Sequence, residues 1–242
     1  MSPAPPATPE GLFDELLRAN PSAPFVSYYD ETSGERSELS AKSLANWVAK
    51  THSLLVDELG LGVGDTAFIA LPAHWISVPA ILGCLTAGLA LSSSPDGADV
   101  AFVEPATAGL AVGVPDVYCV APASAAVGLR DDVPAGAQDY VLSVRPQPDA
   151  WPGVFFGATP DDPCWDGQLR AEVADAARAR AAELGMTAGA RVLTAHDWTG
   201  PSAWLDTLLA PLAVRGSVVY VRGADEATLA RRADQEKATV RI

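Results

Sequence analysis

The longest apolar pattern in the chain runs from Thr66 to Pro95, thirty consecutive residues without Asp, Glu, Lys or Arg. Its first segment, Thr66-Ala-Phe-Ile-Ala-Leu71, is short and nearly continuously apolar, the pattern of a strand buried on both faces. Pro72 breaks it. His74 to Ala87 then predicts a helix packed among other elements, with Gly88 as its stop. Leu89-Ala-Leu91 predicts the next strand, and Ser92 to Pro95 a loop. Strand, helix and strand in this order predict a right-handed βαβ unit with a parallel sheet. A membrane span needs about 20 consecutive apolar residues in one helix. Pro72, Pro79, Gly83 and Gly88 interrupt this run, so a buried βαβ unit explains it better.

Before this unit, Thr8-Pro9-Glu10 reads as an N-cap, a first-turn proline and an acid at the positive end of a helix. Leu12, Phe13, Leu16 and Leu17 continue that helix, which stops before Pro21. Phe25 to Tyr29 predicts a strand, Thr32 to Gly34 a turn, and Arg36 to Leu39 a hairpin partner. Ser40 caps a helix with Leu44, Trp47, Val48, Thr51, Leu54 and Leu55 on one face. After the unit, Val100–Val103, Val117–Val120 and Tyr140–Val144 predict short strands, and Ala123–Val127 a short helix. Pro146 to Gly167 holds five prolines and three glycines and reads as a long loop. Asp166 is the expected N-cap of a helix from Gln168 to Leu184. Arg191–Ala195, Ser217–Val221 and Thr239–Ile242 predict strands, with helices over Trp204–Val214 and from Asp225 to near Glu236. Strands and helices alternate throughout, so the predicted class is α/β, doubly wound, with mostly parallel sheets flanked by helices. The expected organisation is one domain over 1–242, with possible sub-lobes 8–145 and 165–242 joined by the loop 146–167.

Charge narrows the partners. The 242 residues carry a formal net charge of −14, which opposes nucleic acid and anionic membrane surfaces, whose binding draws on Lys and Arg. Cys84, Cys119 and Cys164 are far apart and odd in number, a spacing that fits neither a disulfide framework nor a metal motif. The start, Met1-Ser-Pro-Ala-Pro-Pro, lacks the basic-then-apolar pattern of a signal peptide, so a cytoplasmic setting is expected.

Several stretches then carry a family resemblance. Leu39-Ser-Ala-Lys-Ser-Leu44, Leu59-Gly-Leu-Gly-Val-Gly-Asp65, Ala70-Leu-Pro72 and Ala80-Ile-Leu-Gly-Cys-Leu-Thr-Ala-Gly88 resemble successive motifs in the N-terminal half of the adenylate-forming (AMP-binding) acyl-CoA synthetase superfamily. Ala182-Glu-Leu-Gly-Met-Thr187, Leu209-Ala-Pro-Leu212 and Gly216-Ser-Val-Val219 resemble segments farther along it. Residues 59 to 88 are the most specific part. The chain is also similar to a small set of short actinobacterial proteins. The resemblance implies a truncated synthetase, since the family's adenine, magnesium and ribose sites and its mobile C-terminal domain would lie beyond Ile242.

The departures bear on function. Active members carry a Ser/Thr/Gly-rich phosphate loop ending in Pro-Lys before the helix expected here from Gln168. This chain reads Phe155-Phe-Gly-Ala-Thr-Pro-Asp-Asp-Pro-Cys-Trp-Asp-Gly167, with no lysine. Gly157 and Thr159 are the remnants of a nucleotide site. Asp166 as N-cap would occupy the N–H groups that an anion needs. Asp161 and Asp162 would face a triphosphate, each unscreened pair near 4 Å costing roughly 4 kcal/mol at an effective dielectric of 20. No cofactor is expected, ATP or AMP entering only if the degenerate loop still binds.

His196-Asp197-Trp198-Thr199-Gly200 stands where the family has a stretch lining its acyl pocket. The resemblance implies His196, Trp198 and Gly200 as a surviving pocket wall, with Phe155 to Gly157 opposite. The plainer reading is a polar loop after a strand, with Trp198 covering the core. Asp161, Asp162 and Asp166 suit a divalent cation by ligand type, but Pro160 and Pro163 favour a surface turn, and no metal is expected. Gly60, Gly62 and Gly64 precede a strand, whereas a dinucleotide loop follows one. Ser202, His196 and Asp206 have the residue types of a hydrolase triad without its nucleophile elbow. The sequence thus points to a non-catalytic, synthetase-like regulatory or scaffolding protein. The alternatives are a binding module for an acyl or aryl acid or adenylate, and half of a ligase completed by a partner chain. Half of a two-lobed fold leaves an apolar flank, which predicts a homodimer or a protein partner.

Overall fold

The computed structural model describes residues 7–122, 125, 127–129, 132–150, 157–198 and 200–242. The chain divides into two units. One is continuous, Ala45–Leu169. The other is split between residues 7–44 and Arg170–Ile242.

The continuous unit is organised by the charge-free run. β3 (Thr66–Ala70), α3 (Ser77–Ala87) and β4 (Ala90–Ser92) form the expected unit, with β3 and β4 parallel. All eleven residues of α3 are buried, and Gly88 ends it at φ 95°, where an added Cβ would meet Val63. β5 (Val100–Val103), buried at every position, and β6 (Asp116–Cys119) continue the parallel sheet from the other side of β3. α2 (Ala41–Ser53) lies against α3 so closely that a Cβ on Gly83 would come within 2.5 Å of Thr51. Thr51 also meets the Tyr140 hydroxyl at 2.7 Å.

Two expected elements differ in this unit, besides the cap at Asp166. Tyr140–Val144, predicted as a strand, is a short helix, α4, preceded by the two-residue β7 (Gln138–Asp139). Its apolar residues, Tyr140, Val141, Leu142 and Val144, fit either period over so short a run. The cap decides, because the Asp139 side chain accepts from the Leu142 N–H. The loop 146–167 is also not structureless, because Pro163–Trp165 forms β8, parallel to β4, and Gln168–Leu169 forms β9, antiparallel to β8. The sheet order is β7-β6-β5-β3-β4-β8-β9. Ala123, Ser124 and Ala126, in the expected short helix, lie outside the described residues.

The split unit opens with α1 (Pro9–Ala19), capped as expected by Thr8, whose side chain accepts from Gly11. β1 (Pro24–Asp30) and β2 (Glu35–Ser40) form the predicted hairpin. After α5 (Arg170–Glu183) come β10 (Arg191–Thr194), a helical stretch from α6 (Pro201–Trp204) to α7 (Ala210–Ala213), and β11 (Ser217–Arg222). α8 (Glu226–Glu236) and β12 (Val240–Arg241) follow. The order is β12-β10-β11-β1-β2, parallel except for the hairpin. Side chains alternate across the sheet. Val192 packs with Ala181, Met186 and Ala210 on the face of α5 and α7. Leu193, Val219, Val221 and Tyr29 form the other face, covered by Leu229 and Ala233 of α8. At the start of α5 the Arg170 guanidinium is wholly buried and meets the Glu10 carboxylate of α1 at 2.8 Å. Among the described residues no helix is long and apolar enough to cross a membrane.

Candidate functional site

Gly157 and Thr159 belong to the continuous unit, and His196, Trp198 and Gly200 to the split one. Gly157 is exposed at φ 94°, a left-handed conformation that favours glycine. Thr159 is committed. Its backbone N–H and its hydroxyl both donate to one Asp162 oxygen, at 2.6 and 2.9 Å, and the Asp162 N–H returns a bond to the Thr159 carbonyl at 3.1 Å. Both Thr159 donors therefore hold a carboxylate of the chain itself.

Asp166 is not the N-cap expected of it. It sits at φ 44° and Gly167 at φ 85°, the two central residues of the tight turn between β8 and β9. Positive φ at both positions is the geometry that makes Asp-Gly a strong hairpin signal, and that dipeptide was the clue in the sequence. The Asp166 carboxylate reaches back to the Ser93 N–H and hydroxyl at 3.5 and 3.4 Å. The following helix therefore starts at Arg170 rather than Gln168. Phe155 and Phe156 lie outside the described residues. Among those described, no group of three or more His, Cys, Asp or Glu side chains is arranged to hold a metal ion.

The split unit presents a second candidate. The carboxyl ends of β1, β10, β11 and β12 share one edge. The connection after β10 leads to the helices on one face, and that after β11 leads to α8 on the other. Ligands of open α/β sheets bind outside the carboxyl ends of the strands at such a divergence. His196 is exposed here, its N–H donating to Thr194 Oγ1 at 3.0 Å. It lines an open cleft of about 400 Å³ with Leu193, Ala195, Glu226, Leu229 and Arg241. Arg241 and Glu226 pair across it at 2.7 Å.

Trp198 is buried. Its indole N–H donates to Thr207 Oγ1 at 2.9 Å, and its ring stands edge-on to Tyr220 at 5.7 Å. The indole therefore closes the core. Gly200 precedes α6 at φ 127°, and Thr199 lies outside the described residues. Ser202, His196 and Asp206 do not form a relay, because Asp206 is held by Arg180 at 2.7 and 3.0 Å.

Sequence reasoning missed Arg222, Arg241 and Glu226. Arg222 directly follows the expected strand Ser217–Val221, Arg241 lies in the expected strand Thr239–Ile242 and Glu226 follows the helix-opening Asp225, and those positions were the available signal. Burial works against the charge of Arg222, but the Tyr28 hydroxyl and the Asp30 and Asp197 carboxylates outweigh it and hold the guanidinium above its ordinary range. Burial, reinforced by Asp30, pushes the Tyr28 hydroxyl up to about 12. The edge thus carries two arginines, each already paired with carboxylates of the chain, and an exposed imidazole.

This architecture is that of the N-terminal half of the adenylate-forming ligases. An acyl-CoA synthetase from Brucella canis superposes with a TM-score of 0.78 at 15% identity, over 97% of this chain and 46% of that one. The anthranilate CoA ligase AuaEII, solved with anthranoyl-AMP, gives 0.73 at 13% identity, over 96% and 48%. A mutant form of coronafacic acid ligase from Pectobacterium brasiliense gives 0.70 at 10%, over 96% and 49%. The chain therefore spans about half the length of these ligases. No family model matches it. It is 37% identical over 234 residues to a TIGR03089 family protein of Mycobacterium tuberculosis, covering 94% of this chain and 95% of that protein. The chain belongs to the TIGR03089 family.

Proposed function

We propose that this chain is a synthetase-like protein without ATP-dependent adenylation, acting as a regulatory or scaffolding partner. The observation that carries the reading is the internal bond of the phosphate-loop remnant. Thr159 donates both its N–H and its hydroxyl to Asp162, and the segment contains no lysine. An incoming phosphate must displace a bonded carboxylate and then face its charge, with no cation to offset it.

ATP–pyrophosphate exchange by the purified chain, over a panel of acyl and aryl acids, tests this. The expected result is no exchange above the blank, and a thermal shift with ATP or AMP below about 1 °C. Exchange by this polypeptide alone would overturn the reading. Exchange only after another chain is added would favour a ligase completed in trans. Replacing Asp162 with Ala removes the internal anion and is expected to create weak, millimolar affinity for pyrophosphate.

A second reading rests on the cleft in the split unit, where His196 and Arg241 line the same wall. A volume of about 400 Å³ lies within the range of small-molecule sites. The ligand class is a small acyl or aryl acid, its carboxylate near Arg241 and its tail on Leu193 and Leu229. Stabilisation by such acids that is lost in Arg241→Ala supports it; no shift with any of them removes it. Leu110 and Val112 of the continuous unit are 56% and 85% exposed and support a homodimer or another protein partner. A strict monomer in light scattering, with nothing retained from a host extract, would count against that.

A further inference from the structure

α8 is attached to its sheet differently from the helices on the opposite face. None of its eleven residues is buried, and its apolar contribution is the half-buried Leu229 and Ala233 over Tyr29, Leu193, Val219 and Val221. Charge does much of the remaining work. Arg232 donates to Glu31 at 2.6 Å and lies 4.0 Å above the centre of the Tyr29 ring. Arg231 reaches the same Glu31 at 3.6 Å. Glu236 takes both the Tyr29 hydroxyl and the Arg191 guanidinium. Arg36 comes to the Tyr29 hydroxyl from β2 at 3.1 Å.

These contacts form a clamp around one tyrosine. Left-handed residues bracket the helix: Gly223 at φ 68° before it and Lys237, its C-cap, at φ 53° after it. An element with few buried apolar contacts opens with less free energy than the global transition. We infer that α8 is a lid on the split unit, held shut by the Tyr29–Glu236–Arg191 and Arg232–Glu31 contacts. Its opening uncovers the apolar face of Tyr29, Leu193, Val219 and Val221. Because Glu226 and Leu229 are walls of the cleft beside His196, the same movement widens that cleft. The lid stands whether or not the cleft holds a ligand.

Native-state amide hydrogen exchange on the full chain tests the lid without any ligand. Amides of Ala230–Glu236 are expected to exchange about a hundredfold faster than those of Ala174–Glu183 in α5. Glu236→Gln and Arg232→Ala are each expected to speed α8 exchange about tenfold more and leave α5 unchanged. Should Glu236→Gln fold poorly, Glu31→Gln, on the connection after β1, weakens the same clamp through its Arg232 contact. Equal protection of α8 and α5 in the unaltered protein would overturn the inference. So would variants that move both helices in step, since α8 would then belong to the global unfolding unit.

Discussion

α3 and α8 are both eleven residues long and both cover a parallel sheet, yet every residue of the first is buried and none of the second. α3 lies in the continuous unit, within a run without a charged side chain, and hydrophobic burial can hold it. α8 carries Glu226, Arg231, Arg232, Asp234 and Glu236 in its own length, and is held by directional contacts around Tyr29. Burial is non-directional and scales with area, whereas the largely buried pairs Arg191–Glu236 and Arg232–Glu31 hold only while both partners keep their geometry. Two helices of one length thus differ in how readily each can leave its sheet.

The strongest challenge to this contrast lies in the split unit itself. Arg170 is fully buried and Glu10 nearly so, 2.8 Å apart. Burial pushes the Glu10 carboxyl up, with Arg170 pulling against it. Removing one member of such a pair withdraws the charge that offsets the other's desolvation, at about 3–5 kcal/mol. Glu10→Ala is therefore expected to lower the urea midpoint more than any other substitution named here. A loss under about 1 kcal/mol would mean that water relieves Arg170, and that charge counts for as little inside this unit as at its surface.

Leucine truncation in the two helices measures the contrast directly. Leu82 in α3 is 1% exposed, and Leu82→Ala is expected to cost about 3 kcal/mol. Leu229 in α8 is half-buried, and Leu229→Ala is expected to cost about 1 kcal/mol or less, chiefly as faster local opening. Equal losses in denaturant titrations would erase the distinction.

The same difference explains what was legible in the sequence. Thr66 to Leu91 could be read because an uninterrupted apolar run with Pro72 and Gly88 as punctuation leaves one economical arrangement, β3-α3-β4. Thr8 and Asp225 announced α1 and α8 as caps, and each side chain takes a backbone N–H as expected. Polar stretches were harder to read, because a residue such as Asp serves equally as helix cap, turn former or acceptor for its own loop. Asp166 was assigned the first role and fills the second, and Asp162 fills the third. Trp198 was offered two roles, and its indole bond to Thr207 is a contact with the expected helix Trp204–Val214 that the local pattern does not specify. The positive residues at the sheet edge were invisible for a similar reason, because Arg222 and Arg241 come to the same end of the sheet only once β11 and β12 are aligned on either side of β10.

Acid gives the smallest effect and separates the two units by pH. Burial holds the His52 imidazole of the continuous unit below its ordinary value of 6.5, Asp57 and the Thr86 backbone recovering only part of the loss. The folded form therefore binds fewer protons than the unfolded one. Its stability is intact above about pH 6.5 and falls as the pH drops below that. In the split unit, Arg232 holds Glu31 below 4.5, and Tyr29 and Arg191 lower Glu236 despite its burial. Their contribution is intact above about pH 4.5 and is lost as the pH falls through their lowered values. Between pH 6.5 and 5, exchange should therefore quicken in α3 before any change in α8, and α8 should respond only below about pH 4.5. His52→Gln should flatten the first step and leave the second. If α8 loosens first, its clamp is weaker than its geometry implies, and the contrast between the two helices is larger than burial alone predicts.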